Sequence, residues 1–467
     1  MSETPHPPTT PARGTARVGR SRSRFDATLV AAVVVPLLAV GASALIDVDT
    51  PTRAGAAPSE TPLTESSIVC PGGGGEVLVT STSGEGGSVD VRSGGTEEQA
   101  DLRPGRTTSV DLGERAAVVT GRDELAPGLV AGRFSTPLAS FDCRAPVFDQ
   151  WFTGVGAGAR HRSTIQLVNP DEGRAVVDIT VLGADGEVEA PLRGVTVEGE
   201  STRAVPLAEV LPRRDELTVR VTVVRGRIAA SVRDAFRGVG NARSGDDGLA
   251  SQAAPQTGNL LLGVPTGAGP RSLVIANPGT SQGRATLQLV TGDATFEPRD
   301  VEPIDLPPRS TVVVPVAGLL RRAGEGDEAP IGLQVDSTVP TTATLSVFVE
   351  GDLATAVPAV PLEGPGTAIL PEGSKRLLLG DAASPGVVTV AARSGDGTAL
   401  EEQRVEVGPG RAASVDLPDD ARLITVTPAR TSVAGVVAVV GSGGATIVRL
   451  REPATGGVVP DVRVGAP

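Results

Sequence analysis

The sequence predicts an all-β protein, with an N-terminal transmembrane helix followed by four tandem immunoglobulin-like β-sandwich repeats. Three observations carry this. A strand-turn-strand motif recurs four times, as ADLRPGRTTSVDL at 100–112, VTVEGESTRAVPL at 195–207, IDLPPRSTVVVPV at 304–316 and VEVGPGRAASVDL at 405–417. Such internal repetition marks an array of similar structural units. The apolar residues are mostly Val, Leu and Ala, with no Tyr, one Trp and eight Phe, and 59 Gly and 39 Pro punctuate the chain. Branched side chains pack well on a pleated surface, and Gly and Pro set frequent turns. Finally, residues 27–46, ATLVAAVVVPLLAVGASALI, form an uncharged run about long enough for one bilayer crossing.

Residues 1–26 hold five Arg against Glu3 and Asp26, a balance of +3, so the rest carries −16 of a net −13. This basic head reads as a disordered cytoplasmic tail. Asp47 and Asp49 follow the apolar run, and the positive-inside rule places the N-terminus in the cytoplasm and the bulk of the chain outside. Pro36 is tolerable within a membrane helix. Residues 27–46 are therefore read as a signal anchor in the cytoplasmic membrane. The alternative is secretion after signal cleavage near Ala44, where Ala42-Ser43-Ala44 matches the small-x-small pattern. Residues 47–68, rich in Pro, Thr, Ser and Ala, read as a linker.

The repeats are placed at 69–145, 146–236, 259–362 and 363–451, with 237–258 a linker or long loop and 452–467 a C-terminal tail. Leu102, Val197, Leu306 and Val407 are equivalent positions, separated by 95, 109 and 101 residues. Before each motif lies a strand-turn-strand run that reads as a β-hairpin, with Asn169-Pro170 and Asn277-Pro278 in the turns of repeats two and three. After each motif comes a closing strand pair, at 116–134, 217–236, 331–350 and 422–440. About 100 residues with six or seven short strands fits an immunoglobulin-type sandwich. Repeats one and four resemble each other most, as do two and three, giving an A-B-B-A order. The alternative architecture is a four-bladed, propeller-like closed array.

Cys70 and Cys143, the only cysteines, bracket repeat one. Outside the cytoplasm they are expected to form a disulfide. Without a CxxC pair, redox catalysis and zinc binding are not indicated.

No catalytic constellation and no metal or cofactor site emerges. Outside the basic tail, with its His6, His161 is the single histidine, and it reads as an exposed turn because repeat three offers Pro270 there. Gly154, Gly156 and Gly158 precede a strand, so they lack the context of a dinucleotide fingerprint. Asp246-Asp247 and Asp396 read as solvated turn acids. The acidic bulk argues against nucleic acid as a partner. Phe134, Phe141, Phe148, Trp151 and Phe152 crowd the junction of repeats one and two. They read chiefly as core and inter-domain packing, with Phe141, Phe148, Trp151 and Phe152 as the candidate binding patch.

The Arg-rich head, the single apolar segment, the Asn-Pro turn units and the scarcity of Lys (only Lys375) and Tyr resemble an uncharacterised family of actinobacterial membrane-anchored secreted proteins. The resemblance implies an envelope location and no site residues. The expected function is non-enzymatic: a cell-envelope scaffold or protein-binding module with an envelope protein or glycan as partner. The alternatives are a cell-wall glycan recognition module and a hydrolase that uses carboxylates alone.

Overall fold

Short runs of alternating apolar residues bury their apolar side when two sheets face one another, and this chain does so four times over. The computed structural model describes residues 59–459 apart from 137, 215, 239–243, 265–268, 300, 324–328, 350 and 442. The cytoplasmic-tail, signal-anchor and most of the linker readings lie outside the described residues. No helix among the described residues is long and apolar enough to cross a membrane.

Unit 1 has eight strands: Glu65–Cys70, Glu76–Ser81, Gly87–Ser93, Thr96–Leu102, Thr108–Asp111, Ala117–Arg122, Leu129–Ser135 and Ala139–Phe141. The first, sixth, third and fourth pair in that order as one sheet, and the fifth, second, seventh and eighth as the other. The other three units repeat this order. In unit 3 a single strand, Gly332–Val349, serves as both sixth and seventh, running from one sheet into the other through Pro340.

Each recurring motif carries the chain from the fourth strand to the fifth, across from one sheet to its partner. Leu102, Val197, Leu306 and Val407 are all buried, and each pairs with the first residue of its unit's third strand: Gly87, Ala175, Gly283 and Gly386. Three residues further on, all four motifs turn through positive φ, with Gly105 at 69°, Glu200 at 49°, Arg309 at 52° and Gly410 at 72°. Glycine holds that position in units 1 and 4 and a charged residue in units 2 and 3. The A-B-B-A order has structural counterparts too. Among the described residues only units 2 and 3 split the fourth strand, and only they insert a short helix, Leu207–Val210 or Ala317–Arg322, after the fifth.

Several expectations need correction. The runs around Asn169-Pro170 and Asn277-Pro278 are not hairpins: the flanking strands lie in opposite sheets, as do the closing strands. Alternation shows which side of a strand faces the core, not which strand is its neighbour, so hairpin and arch look alike. Asn169 and Asn277 are buried and hold the arches, each donating its side-chain amide across to the motif, at Glu198 O (3.0 Å) and Leu306 O (3.0 Å). The 237–258 segment contains unit 2's eighth strand, Ser244–Leu249. Segments read as linker and tail contain Ser59–Pro62 and Gly456–Val459, which pair as a two-stranded sheet. Edge pairing requires only backbone groups, so composition concealed it.

The units are not beads. Residues 60–459 form one compact body in which the eighth strands contact one another in a ring, 1 to 2 to 3 to 4 and back to 1. Among the described residues five seam clusters accompany the four sandwich cores: Val69, Val118, Val168 and Ala229 between units 1 and 2; Trp151, Leu182 and Ala276, and separately Phe236, Phe348 and Leu353, between 2 and 3; Leu260, Leu262, Leu378 and Val436 within that between 3 and 4; and Leu78, Phe134, Ile369 and Leu423 between 4 and 1. At every seam a motif meets the turn between the third and fourth strands of the preceding unit. Glu200 pairs with Arg92, Arg309 with Glu187 (3.1 Å), Ala412 N donates to Thr291 O (3.0 Å), and Thr107 N donates to Gly395 O (3.1 Å). The last of these closes unit 1 onto unit 4.

Candidate functional site

The ring's hub gathers most of the unusual chemistry. Asp247, in the eighth strand of unit 2, is buried, contrary to its reading as a solvated turn acid. Its Oδ1 accepts from Ser140 N (3.1 Å), Gly248 N (2.9 Å) and Thr446 Oγ1 (3.1 Å), and its Oδ2 from Thr355 N and Thr355 Oγ1. Ser140, Thr355 and Thr446 lie in the eighth strands of units 1, 3 and 4, so one side chain ties all four units. Burial pushes its carboxyl up to about 8, against the pull of these donors. Asp352, the first residue of unit 3's eighth strand, is raised to about 6 for the same reason.

Beside the hub, between units 1, 2 and 4, lies a cavity of about 330 Å³ lined by Asp142, Arg144, Ser251, Arg449 and Arg451 among others. Asp142 and Arg144 follow the eighth strand of unit 1 two residues apart. Arg449 ends the eighth strand of unit 4, and Arg451 stands two residues beyond. Asp142 accepts from Arg449 Nη2 (3.1 Å) and from Arg451 Nη2, while Arg144 Nη1 donates to Ser251 Oγ. Burial alone would raise the Asp142 carboxyl, but Arg451, Arg449 and Arg144 outweigh it and hold it at about 2. Burial and the neighbouring Arg451 bring Arg449 down to about 9 and Arg144 to about 10.

His161 is also buried rather than exposed. Its Nε2 lies 2.9 Å from Asp234 Oδ1, its ring stacks on Phe236 at 3.9 Å, and Ser163 Oγ donates to the same Asp234 oxygen at 2.5 Å. The carboxylate stands between the hydroxyl and the imidazole, so the hydroxyl is not placed against a base as nucleophilic catalysis requires. The trio closes one end of unit 2's core. The corresponding end of each of the other units holds a buried Arg or Lys. Arg133 donates to Gly74 O, Pro71 O and Arg115 O, Arg271 to Gly269 O, and Lys375 to Gly373 O and Asp419 O.

The candidate aromatic patch is taken apart by the fold. Phe152 is 1% exposed in the core of unit 2, Trp151 6% in the seam with unit 3 and Phe141 2%, whereas Phe148 is 68% exposed. Trp151 and Phe152 are successive positions of one strand, Asp149–Val155, whose two faces are covered there, one by the core of unit 2 and one by unit 3, while Phe148 precedes that strand. Cys70 and Cys143 form a disulfide that joins the first strand of unit 1 to the segment after its eighth. Among the described residues no group of three or more His, Cys, Asp or Glu is placed to hold a metal ion.

The model of one family, described as a family of unknown function (DUF5719), matches residues 113–418. The chain belongs to that family. No curated protein matches it. The DUF5719 match spans units 2 and 3 and parts of units 1 and 4, and it includes Asp142, Arg144, Asp247 and Thr355. Arg449, Arg451 and Thr446, which complete the hub and the cavity cluster, lie beyond it. The hub is not legible in the sequence, because Asp247 lies in the segment read as linker or long loop and Ser140, Thr355 and Thr446 lie beyond the closing strand pairs of their repeats, where no further strand is expected. The one signal available was Asp246-Asp247, acids set within an otherwise weak strand pattern.

Proposed function

We propose that this protein is a non-enzymatic, membrane-anchored scaffold or protein-binding module of the cell envelope. In this reading residues 27–46 anchor it in the cytoplasmic membrane, with the N-terminus inside and the ring of immunoglobulin-like sandwiches outside. The observation that carries the proposal is ring closure through Thr107 and Gly395, which makes four small sandwiches one body with a shared hub. Such a body offers a broad outer surface of loops on a rigid frame, the arrangement in which binding residues commonly sit. Some of its unusual titratable groups are engaged in joining units, as Asp247 is, or in closing cores, as Lys375 is. The glycan reading calls for a groove lined by aromatics or Arg in the 134–152 region, and three of the four candidate aromatics are buried.

The test is proximity labelling in native cells, with the labelling enzyme fused to the C-terminus of the full-length protein. Reproducible enrichment of a small set of extracytoplasmic proteins over a matched anchored control supports a scaffold. Labelling confined to cytoplasmic proteins overturns the topology, and labelling no different from the control overturns the scaffold.

A further inference from the structure

We propose that the cavity beside the hub is a binding site for a small organic anion, a phosphate monoester with an apolar substituent. The inference is independent of the scaffold reading. Three guanidinium groups, from Arg144, Arg449 and Arg451, line the cavity with the Asp142 carboxylate. Only Asp142 neutralises them, through Arg449 and Arg451. Glu452 also lines the space, but its Oε1 accepts from the backbone N–H groups of Glu363 and Gly364. The lining therefore carries three guanidinium groups against two carboxylates, an excess of one positive charge, and the Glu452 carboxylate is turned to backbone donors rather than to the arginines.

Like charges held together out of bulk water repel, and the lowered values of Arg144 and Arg449 reflect that repulsion together with burial. In addition, Arg144 Nε and Arg449 Nε are buried with no hydrogen-bond partner. Such a cluster adds nothing to folding that an apolar core would not supply more cheaply. It is, however, the arrangement that recognises phosphate and carboxylate groups through guanidinium forks. A phosphate monoester presents three acceptor oxygens where a carboxylate presents two, and the unpartnered Nε groups of Arg144 and Arg449 are donors left to meet them, which favours a phosphate monoester over a carboxylate. Much of the remaining wall is apolar, including Ile68, Val130, Phe134, Ile447 and Val448, so part of the space suits a hydrophobic substituent. The cavity's size lies at the lower end of the range of about 300–1,000 Å³ for small-molecule sites.

The test is isothermal titration calorimetry of the full-length protein with phenyl phosphate, inorganic phosphate and phenylacetate. Phenyl phosphate is expected to bind tightest, and Arg144→Gln is expected to weaken it about tenfold or more. This variant leaves both Asp142 ion pairs in place. Should it fail to fold, protection of Arg144 and Arg449 from phenylglyoxal by phenyl phosphate, mapped by mass spectrometry on the unaltered protein, serves instead. Phenylacetate binding as tightly as phenyl phosphate would overturn the phosphate assignment, and inorganic phosphate binding as tightly would overturn the apolar one. Absence of heat with all three, undiminished binding in Arg144→Gln, or unprotected arginines would sink the site altogether.

Discussion

Thr355 donates both its backbone N–H and its hydroxyl to Oδ2 of Asp247, each at 3.1 Å. Thr355 belongs to unit 3 and Asp247 to unit 2, and the other Asp247 oxygen reaches units 1 and 4. All five groups are donors toward the carboxyl. A protonated carboxyl can still accept on its hydroxyl oxygen, but an amide NH2 cannot. Asp247→Asn should therefore destabilise the protein by about 3 kcal/mol, and Thr355→Val, which removes one hydroxyl, by about 1 kcal/mol. Urea unfolding measures both; a neutral Asp247→Asn would mean that the hub bonds do not hold the ring.

Stability should fall as pH rises from about 5 to about 8. The Asp247 and Asp352 carboxyls are raised by burial to about 8 and about 6. A carboxyl raised in the folded state binds its proton more tightly than in the unfolded chain, where the value is about 4. Its contribution is present below about 4 and is lost as pH climbs through the folded value. Asp142, held at about 2, acts oppositely and loses its contribution below about pH 4. Melting temperature against pH should peak between these limits, and Asp352→Asn should flatten the decline between about pH 5 and 7.

Removing the Cys70–Cys143 bridge, which spans 73 positions, should cost about 4 kcal/mol through the entropy restored to the unfolded chain. The double Cys→Ser variant, followed by calorimetry, checks this. A loss near zero would mean that the seams of unit 1 already hold its ends together.

Gly410→Ala isolates the motif's backbone requirement. Gly410 sits at φ 72°, and nothing lies within 4 Å of an added Cβ, so the cost is conformational alone. About 1 kcal/mol is expected from denaturant midpoints. Glu200 and Arg309 occupy the same conformation without glycine and make the ion pairs to Arg92 and Glu187.

Trp151 and Phe148 should behave differently. Trp151→Ala opens the seam between units 2 and 3 and should cost about 3 kcal/mol, whereas Phe148→Ala on the surface should change stability by less than about 0.5 kcal/mol. Equal effects in thermal unfolding would contradict the packing roles assigned to them.

Much of the unit was legible before its structure. Leu102, Val197, Leu306 and Val407 were found equivalent by pattern, and the strand register places them so. The bracketing of unit 1 by Cys70 and Cys143 also pointed to the observed bridge. The sequence around His161, with Pro270 at the matching place in unit 3, suggests an exposed turn, whereas its burial depends on Asp234 and Phe236, more than 70 positions away. Asp247 was misread for the same kind of reason: its bonds to Ser140, Thr355 and Thr446 cross 107, 108 and 199 positions.

By itself, then, the sequence determined the strand alternation, the turn chemistry, the four-unit period and the A-B-B-A order, because each is set by residues close together in the chain. Only the tertiary structure decided which sheet each strand joins, that the array closes, and that Asp247 and the arginine-lined cavity stand at its centre. Those outcomes depend on burying the second face of each sandwich against another unit. A period of two in side-chain direction says which face is apolar and nothing about what covers it.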